Sequence, residues 1–143
     1  MATIQATIGV TSNLNTSSPI SINKTMTMHK AGTTVGIENS NGLSVKKFNA
    51  TTAVVIELAA DAGASKANKV YIRNTGSSKS DYFYVTFHAS AAAQTTTETI
   101  GKLFGGDWML TPWEANGTGH NITVAPSTTN EMTLEYMTFH ESA

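Results

Sequence analysis

The chain has 143 residues, of which 13 % are charged, and its formal net charge is −1. This length suits one domain around a single core, and the scattered lysines and arginines form no basic stripe that could neutralise a run of phosphates, so nucleic acid is not an expected partner. Cysteine is absent from the sequence, which excludes disulfides, thiolate metal sites and cysteine nucleophiles.

The N-terminal thirty residues hold two alternating segments separated by a loop. The first predicts a half-buried strand, because apolar residues occupy every second position: Ile4, Ala6, Ile8 and Val10. Ser, Thr and Asn dominate positions 11–19, and Pro19 favours an extended or turn conformation before it. The second segment alternates again, and its apolar side consists of Ile20, Ile22, Met26 and Met28.

Lys24 interrupts the apolar side of the second segment. Because a central strand seldom tolerates such a charge, the segment is predicted to be an edge strand or an arm. Methionine suits an adaptable contact surface. We therefore predict an extended N-terminal arm, residues 1–30, whose apolar side meets another chain, followed by a single β-domain over residues 31–143.

Between residues 35 and 68 the sequence predicts one hairpin, one buried strand and little helix. Asn41-Gly42 is a strong signal for a type I′ hairpin turn, because both central residues of that turn need positive φ. The run Val54-Val55-Ile56 is typical of a strand covered on both faces. Residues 59–68 are the only plausible helix, but Gly63 costs it about 1 kcal/mol relative to alanine. A loop or a single helical turn is therefore expected there.

Residues 69–90 carry two aromatic-rich strands on either side of a turn of Gly, Ser and Lys. In the second strand Phe83, Val85 and Phe87 occupy alternate positions, so one face is expected to be dry. Val70 and Ile72 alternate in the same way in the first strand. The two strands are predicted to pair as the central hairpin of the fold.

The remaining sequence predicts further short strands. Gly105-Gly106-Asp107 reads as a turn before a strand at 108–113, and two more strands follow at 122–124 and 132–137. In total, about eight to ten strands with turn signals at short intervals predict an all-β fold. We expect a single-domain β-sandwich or a jelly-roll-like barrel.

A short internal echo links YVTFHAS at 84–90 with YMTFHES at 136–142, and the two segments are predicted to fill equivalent positions. If their strands were neighbours, His88 and His140 could approach each other and hold a metal. No third ligand or metal-binding motif accompanies them, so surface histidines are the favoured interpretation. The acidic residues near the C terminus are interpreted as solvated charges rather than an acid and base pair: Glu131, Glu135 and Glu141. No catalytic residue, metal or cofactor is predicted.

Trp108 and Trp113 are separated by an odd number of positions, so their side chains should lie on opposite sides of one strand. One is expected in the core and the other on a surface that a partner covers, since protein interfaces are enriched in tryptophan. Trp113 is assigned to the partner surface, together with the apolar side of the arm. An exposed tryptophan could also stack on a sugar ring, so glycan binding is the alternative.

Five segments of the C-terminal half form a further pattern: VYIRN, YFYVTF, IGKLFGGDWMLTPW, ITV and MTLEYMTF. In these segments the chain resembles small virion structural proteins of tailed bacteriophages, of the capsid decoration or cement type. The resemblance implies a non-enzymatic all-β protein of the virion, assembled in the host cytoplasm, that decorates or cements a capsid through subunit contacts. It implies the major capsid protein and further copies of the chain as partners.

Two alternatives to a cement protein remain at this stage. One is a minor component of the head or tail, and the other is a fibre or adhesin head domain that binds glycan through exposed aromatic side chains. No leader peptide or membrane span is evident in the sequence, so neither export nor a membrane partner is expected.

Overall fold

The computed structural model describes residues 3–14, 17, 19–57, 59–62, 66–88, 99–115 and 119–141. Within these residues the chain forms β-strands and a single helical turn. In chain order they are β1 (Gln5–Ser12), β2 (Ile20–Thr27), β3 (Asn39–Ser40), β4 (Ser44–Phe48), β5 (Val54–Glu57), α1 (Ala59–Ala62), β6 (Lys69–Asn74), β7 (Tyr82–His88), β8 (Thr99–Phe104), β9 (Trp108–Pro112), β10 (Asn121–Pro126) and β11 (Met132–His140). The predicted all-β class is confirmed, and α1 is a single turn as expected.

Strands β3 to β11 make two antiparallel sheets that pack as a β-sandwich. The four-stranded sheet has the order β5-β10-β7-β8. In the five-stranded sheet β11 pairs with β3 and β4 on one side and with β6 on the other, and β9 forms the far edge. Within the described part of the chain, β1 and β2 pair only with each other, as a separate two-stranded sheet. The predicted sandwich is therefore confirmed.

The core lies between the two sheets and is built from every second residue of their inner strands, as period-two alternation requires. Phe48 of the five-stranded sheet meets Phe83 of the four-stranded sheet edge to face, with ring centroids 5.2 Å apart. Such a contact adds about 0.5–1.5 kcal/mol beyond the area that it buries. The fully buried apolar side chains of the inner strands are Val70, Ile72, Phe83, Val85, Ile122, Val124 and Leu134.

The predicted central hairpin at residues 69–90 is wrong. β6 lies in the five-stranded sheet and β7 in the four-stranded sheet, so residues 75–81 cross from one sheet to the other. Val70 of β6 and Val85 of β7 belong to the same buried cluster, because the two strands face each other through the core instead of sharing a ladder. Alternation identified the dry side of each strand correctly, but it carries no information on which strand lies beside it.

Asn41 and Gly42 form a bulge in an edge strand, so the predicted hairpin turn is also wrong. β3 and β4 both run antiparallel to β11 and are successive parts of one edge strand. Between them, Asn41 N donates to Thr138 O at 3.3 Å, and Thr138 N donates to Asn41 Oδ1 at 2.7 Å. Gly42 does adopt a positive φ of 75°. The chain kinks there without reversing, because the Asn41 side chain replaces a backbone carbonyl of the ladder.

The Val54-Val55-Ile56 run and the internal echo also differ from prediction. β5 is an edge strand in which only Ile56 is buried, so it is not covered on both faces. Over the residues that the structure describes, 84–88 and 136–140, the echo segments lie in inner strands of different sheets, and their matching tyrosines point in opposite directions. Tyr136 packs partly against the core, whereas Tyr84 alternates with the buried Val85 and lies on the outer face. The two segments are therefore not structurally equivalent.

The predicted turn at Gly105, Gly106 and Asp107 is present, and it carries the chain from β8 in one sheet to β9 in the other. Gly105 N donates to Ser78 O at 2.8 Å. A Cβ atom on Gly105 would overlap Ser78 O, so only glycine allows this close approach. The two crossings between the sheets are thus held against each other.

Candidate functional site

The β1–β2 hairpin has one apolar and one polar face. Directly paired residues of an antiparallel ladder lie on the same face, and the register pairs Ala6 with Met26, Ile8 with Lys24, Val10 with Ile22, and Ser12 with Ile20. On the polar face, hydroxyl groups meet across the ladder, as where Thr7 Oγ1 and Thr25 Oγ1 lie 2.9 Å apart. We call the apolar side the arm face; it consists of Ala6, Ile8, Val10, Ile20, Ile22, Lys24 and Met26.

The arm face is open to solvent. Its five large apolar side chains are between 43 % and 53 % exposed: Ile8, Val10, Ile20, Ile22 and Met26. The sequence predicted three of them as contact residues and missed Ile8 and Val10, whose alternation indicated a half-buried strand. The signal that could have found them is the matching alternation on both sides of a polar loop, which is typical of a hairpin.

Met28 belongs to the base of the hairpin, so its assignment to the exposed side is corrected. It is 2 % exposed, and Met28 N donates to Ile4 O while Ile37 N donates to Met28 O, both at 2.9 Å. Lys30 N donates to Val35 O at 2.8 Å. The chain therefore continues from β2 into a second, shorter antiparallel contact, where the side chain of Met28 is enclosed.

Glu141 ties this base to the sandwich. Its Oε1 atom accepts hydrogen bonds from Ala31 N at 2.7 Å and from Ala67 N at 2.9 Å. Lys66 Nζ lies 3.9 Å from Oε2. The backbone N–H groups of Ala67 and Ala31 hold the pKa of Glu141 below its ordinary value, with burial acting in the opposite direction. We call this arrangement the Glu141 clasp. No sequence motif indicated it, since its three segments are far apart in the chain.

The two tryptophans do face different environments, but the assignment of Trp113 to a partner surface is wrong. Trp113 is 2 % exposed and lies in the core, where its Nε1 donates to His120 O at 2.7 Å. Trp113 N also donates to Asn68 O at 2.9 Å, just after β9 ends. Trp108 takes the exposed position, with 49 % of its surface accessible.

Trp108 stands on the outer face of the five-stranded sheet. It pairs across the ladder with Arg73, which pairs in turn with Glu135. Tyr71 Oη donates to Glu135 Oε1 at 2.7 Å, and Arg73 Nη1 lies 4.0 Å from the same oxygen. Burial and the bond to Glu135 raise the pKa of Tyr71. We call this surface the Trp108 face; it consists of Val45, Tyr71, Arg73, Trp108, Leu110, Glu135 and Met137.

A shallow cavity of about 440 Å³ opens on the Trp108 face, lined by Tyr71, Arg73, Gly106 and Trp108. An aromatic ring beside charged hydrogen-bonding groups is a combination that could receive either a sugar or the side chains of another protein. The Trp108 face and the arm face both have the composition of a binding site.

The remaining candidate groups are separated by the fold. His88 and His140 lie in strands of different sheets. The condition for a shared metal, that their two strands be neighbours, is therefore not met. Within the described ranges no three His, Asp or Glu side chains converge as metal ligands. The acidic residues serve separate contacts: Glu131 with Lys47 at 2.9 Å, Glu135 with Tyr71, and Glu141 in its clasp.

Comparisons with protein-family models, with curated proteins and with solved structures return no match to this chain. No helix in the described part of the chain has the length and apolar character to cross a bilayer. The arm face and the Trp108 face are therefore the structural basis for assigning a function.

Proposed function

We propose that this protein is a non-enzymatic structural subunit of a tailed-bacteriophage virion, which decorates or cements the capsid through its N-terminal hairpin. The observation that carries the proposal is the arm face, a row of five large apolar side chains left open on a hairpin that shares no ladder with the sandwich. Apolar patches of this kind are uncommon on isolated domains and usually mark interaction sites.

Two further properties support an assembly role. Only 13 % of residues are charged, which suits a protein that works through packing against neighbours. The segments from residue 69 onward resemble small virion structural proteins, and they include most of the strands that carry the core and the Trp108 face. The expected partners are the major capsid protein and further copies of this chain.

The test is co-sedimentation with capsids that lack the protein. We expect the full chain to sediment with them, and Ile22→Asp and a chain lacking residues 1–27 to stay in the supernatant. Asn23→Asp is the matched control, because it adds the same charge to the polar face of the same strand and should still bind. Capsid binding by the truncated chain at the level of the parent would refute the proposal.

Glycan binding through the Trp108 face is the second candidate, since the exposed indole and Arg73 line one cavity and Glu135 lies 4.0 Å from Arg73. Stacking of a sugar on Trp108 would change its fluorescence, and Trp108→Phe would leave only the signal of the buried Trp113. Titration with a panel of glycans distinguishes glycan binding from assembly. It compares the parent with Trp108→Ala and Ile100→Ala. Binding that Trp108→Ala abolishes and Ile100→Ala keeps would favour this function over assembly.

A further inference from the structure

Exposed apolar side chains are concentrated on two surfaces of the described chain. Ten large hydrophobic residues are exposed. Six lie in the hairpin and its loop: Ile8, Val10, Leu14, Ile20, Ile22 and Met26. Val45 and Trp108 lie on the Trp108 face, and Leu43 lies one residue before β4. Ile100 of β8 is the tenth. The arm face and the Trp108 face are therefore the candidates for an apolar contact.

The two surfaces have compatible dimensions. The arm face belongs to a two-stranded ladder with eight residues in each strand. The Trp108 face covers β4, β11, β6 and β9, a width of roughly 14 Å at the usual strand spacing. A hairpin laid on such a sheet would form a further layer at the usual distance of about 10 Å. Its apolar side chains would then interdigitate with Val45, Leu110 and Met137.

Their charges are also complementary. Lys24 is the one charged residue of β1 and β2, and it lies within the arm face opposite Ile8. Glu135 lies in the middle row of the Trp108 face, between Val45 and Arg73. Both of its contacts, from Tyr71 and from Arg73, engage Oε1. Neither of these contacts uses Oε2, so the Lys24 ammonium of a bound hairpin would find an opposite charge at Glu135.

These observations rest on the proposed assembly role and name the partner for it. We infer that the arm face of one copy of the chain packs on the Trp108 face of a second copy, with Lys24 directed at Glu135. The two faces do not cover each other within one chain, since both stay exposed. Each copy supplies one arm and one receiving surface, so the contact either closes reciprocally between two copies or continues into a ring or a linear array.

Surface variants test the contact in the full-length chain. Sedimentation should show concentration-dependent association of the parent, weakened at least about tenfold by Ile22→Asp on the arm face and equally by Val45→Asp on the Trp108 face. Asn23→Asp and Ile100→Asp are controls, because they place the same charge on the polar face of the hairpin and on the other sheet. Both should associate as the parent does.

Cross-linking tests the pairing directly, and the absence of native cysteine makes single thiols specific. Ile22→Cys mixed with Val45→Cys and a short bismaleimide should give a covalent dimer, in yield several-fold above Ile22→Cys mixed with Ile100→Cys. A dimer formed by Ile22→Cys alone, with Val45→Asp associating normally, would mean that hairpins pack on each other and would overturn the inference.

The outcome also separates this inference from the proposed function. A parent chain that stays monomeric at every concentration, yet binds capsids through its arm, would overturn the second copy as partner and leave the capsid role intact. Self-association that needs both faces, in a chain that does not bind capsids, would support the contact and remove the capsid role.

Discussion

Glu141 is the residue whose change should report most clearly on how the hairpin is attached. Glu141→Gln keeps an oxygen acceptor but removes the charge that strengthens the bonds from Ala31 N and Ala67 N. We expect the free energy of unfolding to fall by about 1–3 kcal/mol, measured by chemical denaturation. Glu131→Gln, which loses only an exposed pair with Lys47, should change it by less than about 1 kcal/mol. Equal effects of the two changes would contradict the clasp.

The same side chain gives the stability a defined dependence on pH. Because the folded pKa of Glu141 is lowered, its contribution is complete above the ordinary pKa of a glutamate and is lost as pH falls through the folded value. The difference in unfolding free energy between parent and Glu141→Gln should therefore shrink in acid. Denaturation curves of both chains from neutral pH downward check the sign; a difference that grows on acidification would exclude this assignment.

Gly105 tests the contact between the two crossings. In Gly105→Ala the added methyl group would overlap Ser78 O, so the backbone must shift, at a cost of about 1–3 kcal/mol. Gly101→Ala in β8 is the matched control, since its Cβ would have no heavy atom within 4 Å. Thermal melts of both variants should place Gly105→Ala well below the parent and Gly101→Ala close to it. Similar melts for both variants would mean that the crossings are not tightly held.

At the level of elements, the bulge between β3 and β4 depends on one side chain. Asn41→Ala removes the acceptor for Thr138 N and the donor to Glu57 Oε1. We expect a loss of about 1–3 kcal/mol in unfolding free energy, because a backbone N–H of an inner strand is left without its partner. Asn41→Asp keeps the acceptor but places a carboxylate beside Glu57, and it should retain the protection of the Thr138 amide against hydrogen exchange that Asn41→Ala loses.

The elements also show what the sequence could predict and where it failed. The alternation of apolar residues located the strands and their buried sides, as with Val70 in β6 and Val85 in β7. It could do so because burial of one side places apolar residues at every second position within a single strand. Pairing depends on contacts that are distant in sequence, so the adjacency of β6 and β7 was predicted wrongly. The prediction of a hairpin turn at Asn41-Gly42 failed for a related reason. A positive φ is compatible with a bulge as well as with a chain reversal, and pairing with the distant strand β11 determines which of the two forms.

For the whole molecule, we expect the sandwich to fold without the hairpin. A chain lacking residues 1–27 keeps Met28, Lys30 and the Glu141 clasp. Among the described contacts it removes the β1–β2 ladder and the bond from Met28 N to Ile4 O. Circular dichroism should show a cooperative melt within a few degrees of the parent at low concentration. A chain lacking residues 1–30 should melt lower, since it loses the buried Met28 and the Lys30–Glu38 pair. Loss of cooperative unfolding in the shorter deletion would place the hairpin in the core.

The candidate site could be predicted only in part, because some of its features depend on contacts that are distant in sequence. Ile20, Ile22 and Met26 could be predicted as contact residues because a lysine among the apolar residues on one side of a strand indicates an exposed edge strand. Trp108 and Trp113 could be separated by parity but not assigned, because parity states that two side chains differ without saying which is buried. That choice depends on where β9 ends and the chain turns inward to reach His120.

The Glu141 clasp also determines where mechanical tension would enter the fold. A pull that a bound partner exerts on the hairpin reaches the sandwich at Ala31. At that point the Glu141 carboxylate transmits the pull to Ala67, just before β6, and to the end of β11. Strands β6 and β11 are adjacent inner strands of the five-stranded sheet. The load thus enters two inner strands at the clasp, in addition to the backbone path that leads through residues 32–38 into the short edge strand β3.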